Sequence, residues 1–159
     1  RRGVVLLWLE SSGSWASAVV VSSQGHLLTC AHLLTGRSWM EIEEQDPSLA
    51  ELSRRPSAPK RCRGRGQVLA PDGRGFTEST FDANVLHIFE GCLDVALLQV
   101  TPPRGAKPMV FSPLRWQTDA SVVEGTEVLA VGHGLFGPGS PWRGPAITRG
   151  DVTKVSRGA

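Results

Sequence analysis

Apolar positions in this chain come in short runs, each cut off by glycine, serine or proline. Residues 4–9 are an apolar run that ends at the turn signal Ser11-Ser12-Gly13-Ser14. Residues 16–22 are β-branched and apolar, Gln24-Gly25 is a tight-turn pair, and residues 27–30 follow at once. This predicts a strand, a hairpin and a second strand. Residues 39–43 alternate apolar and polar, as a half-buried strand does. Residues 84–90 and 94–100 read as a further strand pair turned at Gly91. The run Val128-Leu129-Ala130-Val131, in the segment 121–132, reads as a buried strand leading into a glycine-rich stretch up to Gly139. Residues 146–155 are the last strand candidate. No internal repeat and no strong helical period is present, so the pattern predicts an all-β protein.

One stretch breaks the pattern. Residues 46–79 include Ser53-Arg54-Arg55-Pro56-Ser57-Ala58-Pro59-Lys60-Arg61-Cys62-Arg63-Gly64-Arg65-Gly66, which is basic, rich in proline and glycine and poor in apolar side chains. Such a segment buries too little surface to offset its ordering entropy, and the expectation is a mobile basic loop. Within it, Gln67-Val68-Leu69-Ala70 is the one strand candidate. Residues 102–108 read as a linker.

Composition narrows the class. The chain has 159 residues, 40% of them apolar, enough for a real core. Its 18 Gly and 11 Pro suit many short strands joined by turns rather than a helical bundle. Seventeen basic against 15 acidic residues give a net charge of +2, which suggests no nucleic-acid and no membrane partner. No run reaches the roughly 18–20 apolar residues of a membrane helix. The three cysteines, Cys30, Cys62 and Cys92, contain no Cys-x-x-Cys. An odd count without that motif argues against a disulfide framework and a zinc site, and favours a reducing compartment. The chain opens Arg1-Arg2-Gly3 without an initiator Met, and the apolar run behind it is strand-length rather than a signal-peptide core. It reads as an internal fragment of a longer protein.

Two segments carry the chemistry. Gly25-His26-Leu27-Leu28-Thr29-Cys30-Ala31-His32-Leu33-Leu34 sets a histidine just after an apolar strand. Cys92-Leu93-Asp94-Val95-Ala96-Leu97-Leu98 sets an aspartate at the head of another. A serine protease needs a histidine base and a buried carboxylate that holds the imidazole in the right tautomer. Taken singly, His32 is a loop or core histidine and Asp94 a strand-start aspartate; in this order and context the pair points to catalysis. No Gly-x-Ser-Gly-Gly segment follows within the chain.

Other motifs are weaker. Gly132-His133-Gly134-Leu135-Phe136-Gly137 fits G-x-G-x-x-G, but Pro138, Gly139 and Pro141 forbid the helix a dinucleotide site requires. His133 has no partner spaced for a metal and is expected to sit in a loop. The basic cluster between Arg54 and Arg65 has no interleaved aromatics for base stacking, so a solvated loop is favoured over a phosphate grip. Cys30 and Cys92 read as small buried hydrophobes. A Cys30–His32 nucleophile pair is the other reading of that segment. It lacks the helix N-terminus or cationic site a reactive thiolate needs. No cofactor and no metal is expected.

The segments Ser14-Trp15-Ala16-Ser17-Ala18-Val19-Val20-Val21-Ser22 through Thr29-Cys30-Ala31-His32, and Leu93-Asp94-Val95-Ala96-Leu97-Leu98, resemble the Deg/HtrA class of trypsin-like serine proteases. Val131-Gly132-His133-Gly134-Leu135-Phe136-Gly137-Pro138 and Ala146-Ile147-Thr148-Arg149-Gly150-Asp151-Val152 are similar to the glyoxysomal (peroxisomal) processing proteases of plants and green algae. The resemblance implies a double β-barrel. The first barrel would occupy residues 1–108, with the basic loop at about 46–79, and residues 109–159 would open the second. It implies His32 as general base, Asp94 as orienting acid, and a nucleophilic serine and oxyanion amides beyond residue 159. It also implies a peroxisomal endopeptidase that removes presequences from imported matrix proteins, with oligomerisation left open. Leu33 stands where secreted trypsin relatives carry a disulfide cysteine, and Arg149 and Asp151 stand at positions the relatives usually keep small or apolar. Two rivals are a Deg/HtrA quality-control protease of another compartment and a non-catalytic trypsin-like binding domain.

Overall fold

A computed structural model describes residues 2–35, 61–70, 72–89, 94–102, 104–116, 122–134, 137–141 and 144–155. Among these the order is β1 (Val4–Trp8), β2 (Trp15–Val20), β3 (His26–Thr29), α1 (His32–Thr35), β4 (Arg61–Leu69), β5 (Phe76–Ile88), β6 (Ala96–Thr101), β7 (Glu127–Gly132) and β8 (Ala146–Asp151). The first six strands form a closed antiparallel barrel in the order β1-β2-β3-β6-β5-β4, with β4 returning to β1. Strands β7 and β8 form a separate two-stranded antiparallel sheet. This is the all-β, trypsin-like architecture, with one complete barrel and a second sheet begun.

The barrel closes because inward positions alternate with outward ones around it. Val5 and Leu7 from β1, Ala18 and Val20 from β2, Leu27 from β3, Ala96, Leu98 and Val100 from β6, and Phe81 and Ala83 from β5 fill the interior. Gly25, between β2 and β3, has φ +87°, which the tight turn demands and a side chain would strain. Beyond β6 the chain laces the barrel shut. Leu69 N–H donates to the Val110 carbonyl at 2.8 Å, and the Phe111 ring packs edge-on against Phe81 at 5.4 Å.

The basic run is where expectation and structure part. Residues 61–69 are not a mobile loop but the nine-residue strand β4, paired with both β1 and β5. Strand β5 likewise begins at Phe76, inside the segment read as a loop. The run R-C-R-G-R-G-Q-V has period two. Cys62, Gly64, Gly66 and Val68 face inward, and the arginines face out. The inward signal is weak in sequence because two of the four residues are glycine. Their space is taken by neighbours. A Cβ on Gly64 would lie 2.3 Å from the Phe81 ring, and one on Gly66 2.4 Å from Val5 Cγ1. The arginines do not form a free cationic patch either. Arg61 pairs with Asp82, Arg63 with Glu10 at 2.8 Å, and Arg65 Nε stands 3.1 Å from Glu78 Oε1 without hydrogen-bond alignment. The strand expected at residues 39–43, the turn at Gly91 and the rest of the basic segment lie outside the described residues.

A second correction concerns β7. Its apolar run predicts a buried strand, yet Val128 is 39% and Leu129 59% exposed. The apolar period marks a strand but says nothing of what covers it. On the same sheet Arg149, whose ladder partner is Leu129, reaches diagonally to Glu127 at 3.7 Å.

Candidate active site

His32 and Asp94 are brought together by strand register. β3 pairs with β6 through Leu28↔Leu97 and Thr29↔Ala96. Continuing that antiparallel ladder by two residues sets Ala31 opposite Asp94, and Ala31 N–H donates to the Asp94 carbonyl at 3.3 Å. His32 then opens α1, a single turn closed by hydrogen bonds from Leu34 and Thr35 N–H to the Ala31 carbonyl. Leu33 and Leu34, both buried, pin this turn to the core. The imidazole therefore leaves the barrel at a fixed angle beside a carboxylate 62 positions away.

The carboxylate is held by both oxygens. His32 backbone N–H donates to Asp94 Oδ1 at 2.8 Å, and His32 Nδ1 lies 2.5 Å from Oδ2. Burial alone would push the Asp94 carboxyl up. The hydrogen bonds from the His32 ring and backbone, the His32 charge and the Ala31 N–H outweigh it, and the group lies below its ordinary value of 3.8. At neutral pH it is an anion and can only accept. Nδ1 must then carry the hydrogen, which leaves the lone pair on Nε2. His32 remains 42% exposed and Asp94 29%, so Nε2 is reachable from outside the barrel.

Cys30 belongs to the same cluster. Its Sγ, a ring nitrogen of His32 and a carboxylate oxygen of Asp94 all lie within 4.8 Å of one another. Burial pushes the Cys30 thiol up; a hydrogen bond from the Leu33 backbone partly offsets this, and the Asp94 charge adds to it. A thiol held protonated is a poor nucleophile, which disfavours the Cys–His reading. Cys30 is only half-buried, so its description as a core hydrophobe fits Cys62 better. Cys62 is 3% exposed, and burial raises its thiol to about 12. Cys92 lies outside the described residues.

The sequence places His133 in an ordinary loop. It does follow β7, but it is only 4% exposed and sits at the seam between barrel and second sheet. Its backbone N–H donates to Ser17 Oγ at 2.7 Å, and its carbonyl accepts from Trp15 Nε1 at 3.3 Å. Burial holds its imidazole below the ordinary 6.5, and Arg65 nearby adds to the effect. The seam could not be read from sequence, because nothing in the pattern links Ser17 to a residue in a distant loop. Two of the glycines around His133 serve packing here, while Gly134 has open space beside it. A Cβ on Gly132 would meet Ser17 Oγ at 2.8 Å, and one on Gly137 would meet the Trp15 ring at 3.0 Å.

The structure thus combines a closed six-stranded antiparallel barrel, a histidine–aspartate pair where one strand ends and another begins, and a second sheet that follows. The chain belongs to the trypsin-like peptidase domain family, whose match covers residues 16–159. No curated protein sequence matches the chain significantly. Among solved structures it is similar to Deg5, at TM-score 0.63 and 18% identity over 98% of this chain and 60% of that one. It is also similar to the MamO protease domain from Magnetospirillum magneticum, at TM-score 0.56 and 22% identity over 99% of this chain and 66% of that one. The chain thus spans less than two thirds of either structure. These likenesses carry the Deg/HtrA-type fold.

Proposed function

We propose that this chain is the His- and Asp-bearing part of a serine endopeptidase that trims presequences from proteins imported into peroxisomes. The observation that carries the protease reading is Asp94 accepting from both His32 Nδ1 and the His32 backbone N–H. In this arrangement Nε2 takes the proton of a serine hydroxyl as it attacks the scissile carbonyl. The same nitrogen then returns the proton to the leaving amine, while ionised Asp94 steadies the imidazolium between the two steps. The serine and the oxyanion donors would come from the part of the domain outside these 159 residues. The peroxisomal task is supported by the resemblance of residues 131–138 and 146–152, and by a cysteine usage that suits a reducing compartment.

The test is single-turnover cleavage of a presequence-bearing peroxisomal precursor by the complete protease. Asp94→Asn offers Nδ1 an N–H donor and selects the wrong tautomer. A loss of about ten-thousand-fold is expected, as for the equivalent acid-to-amide change in serine proteases, with a comparable loss for His32→Ala. Near-normal turnover in Asp94→Asn overturns the assignment. Intact precursor alongside cleavage of unfolded proteins of every kind would instead point to a quality-control protease.

A further inference from the structure

We propose that Cys30, His32 and Asp94 form a zinc-binding site that switches the proposed protease off. Their three donor atoms lie within 4.8 Å of one another. In a tetrahedral zinc site, with bonds of about 2.0–2.3 Å, neighbouring donors stand roughly 3.3–3.8 Å apart, so small side-chain rotations gather these three around one ion. The donor set selects the metal class. One thiolate, one imidazole and one carboxylate suit a borderline-soft cation such as zinc, and suit calcium or magnesium poorly. A bound zinc ion deprotonates the coordinating thiol outright. Three protein ligands leave the fourth position to water.

Two features of the fold favour the site. Cys30 and His32 flank the junction between β3 and α1, and Asp94 is fixed to that junction by the His32 N–H and the Ala31 N–H. All three donors are half-buried, so an ion can enter from solvent yet keep few waters. Metal binding and base catalysis exclude each other. Coordination through Nδ1 replaces the hydrogen that Asp94 holds, and coordination through Nε2 consumes the lone pair that would take the serine proton. The inhibition therefore rests on the protease reading; the binding does not.

The experiment uses the complete protein, stripped of metal and titrated with cobalt(II), then with zinc in competition. The expected result is a thiolate-to-cobalt charge-transfer band in the near ultraviolet that zinc abolishes. Cys30→Ala should lose the band and bind zinc at least about tenfold more weakly, and Asp94→Asn should also weaken it. Near-ultraviolet circular dichroism establishes that each variant is folded. Each protein's turnover is normalised to its own metal-free rate. Zinc should inhibit the wild type, and the concentration for half-inhibition should rise at least about tenfold in Cys30→Ala. Absence of the cobalt band in the wild type, or zinc binding undiminished in Cys30→Ala, overturns the site. A metal-free protein without turnover would remove the protease reading alone, and the cobalt spectrum would still decide the site.

Discussion

The backbone N–H of His133 donates to Ser17 Oγ at 2.7 Å, joining the loop after β7 to the outward face of β2 across 116 positions of sequence. With Trp15 Nε1 on the His133 carbonyl, both polar backbone groups of one buried residue are satisfied by side chains of a single strand. Unlike a packed apolar interface, this seam depends on particular atoms.

Ser17→Ala removes the acceptor and leaves a buried N–H without its partner. A buried donor stranded in this way costs about 1–3 kcal/mol. Urea unfolding should show a lower midpoint with unchanged slope. A midpoint equal to wild type would mean that water replaces the hydroxyl and that the seam is looser than the structure shows.

The glycines of β4 make a sharper case. Gly64→Ala places a methyl group 2.3 Å from the Phe81 ring and 2.9 Å from Leu7 Cδ2, and Phe81 is itself wedged against Phe111. Overpacking of this kind costs about 1–3 kcal/mol. Gly150→Ala in β8 meets nothing within 4 Å and should be neutral or stabilising by up to about 1 kcal/mol, because it reduces the entropy of the unfolded chain. Thermal melts of the two variants should move in opposite directions from wild type or, at the least, separate by several degrees.

These positions also explain what the sequence could and could not convey. β2 and β6 are legible because their inward residues are Val, Leu and Ala at strand period, β1 because its apolar run is strand-length, and β3 because it follows β2 through a tight turn. β4 was hidden because half its inward face is glycine. Arg61, Arg63 and Arg65 look like a solvated run until Asp82, Glu10 and Glu78 are found facing them. α1 is four residues long, too short for a helical period to register. His32 and Asp94 stood out by type and context. That Asp94 also grips the backbone N–H of His32 follows from the β3–β6 register, and that register is a property of the folded sheet.

Composition alone invites removal of residues 46–79 as a dispensable loop. That excision takes away all of β4 and the first four residues of β5. The barrel would open between β1 and β5, losing inward Cys62 and Val68 and exposing the Phe81 face. The shortened chain should show no cooperative unfolding transition and poor amide dispersion in nuclear magnetic resonance spectra. A cooperative melt near that of wild type would mean that another segment replaces β4.

His133 should impose a pH dependence of its own. Burial, with Arg65 beside it, lowers its folded pKa below the ordinary 6.5, so the unfolded chain binds the proton more readily. Stability from this residue is full above about pH 6.5 and falls as the pH drops from there through the folded value. His133→Gln cannot titrate. Urea midpoints between about pH 8 and pH 5 should therefore decline less steeply for the variant than for wild type. Parallel profiles would mean that the imidazole reaches water readily in the folded state.

Asp94 acts on the other side of the scale. Its folded pKa lies below the ordinary 3.8, because the hydrogen bonds and charge of His32 overcome the burial that would raise it. Between that folded value and 3.8 the unfolded chain binds more protons than the native one. The stabilisation is therefore complete above about pH 4 and is lost as the pH falls through the folded value. Asp94→Asn keeps the shape of the side chain and removes the titration. It should be less stable than wild type above about pH 4, and the two proteins should converge in stronger acid as the pH falls through the folded value of Asp94. Denaturant midpoints measured in steps across that range give the margin directly. A margin that stays constant into strong acid would mean that the carboxylate is not held ionised by His32. The tautomer argument, and with it the assignment of Nε2 as the base, would then have no electrostatic footing.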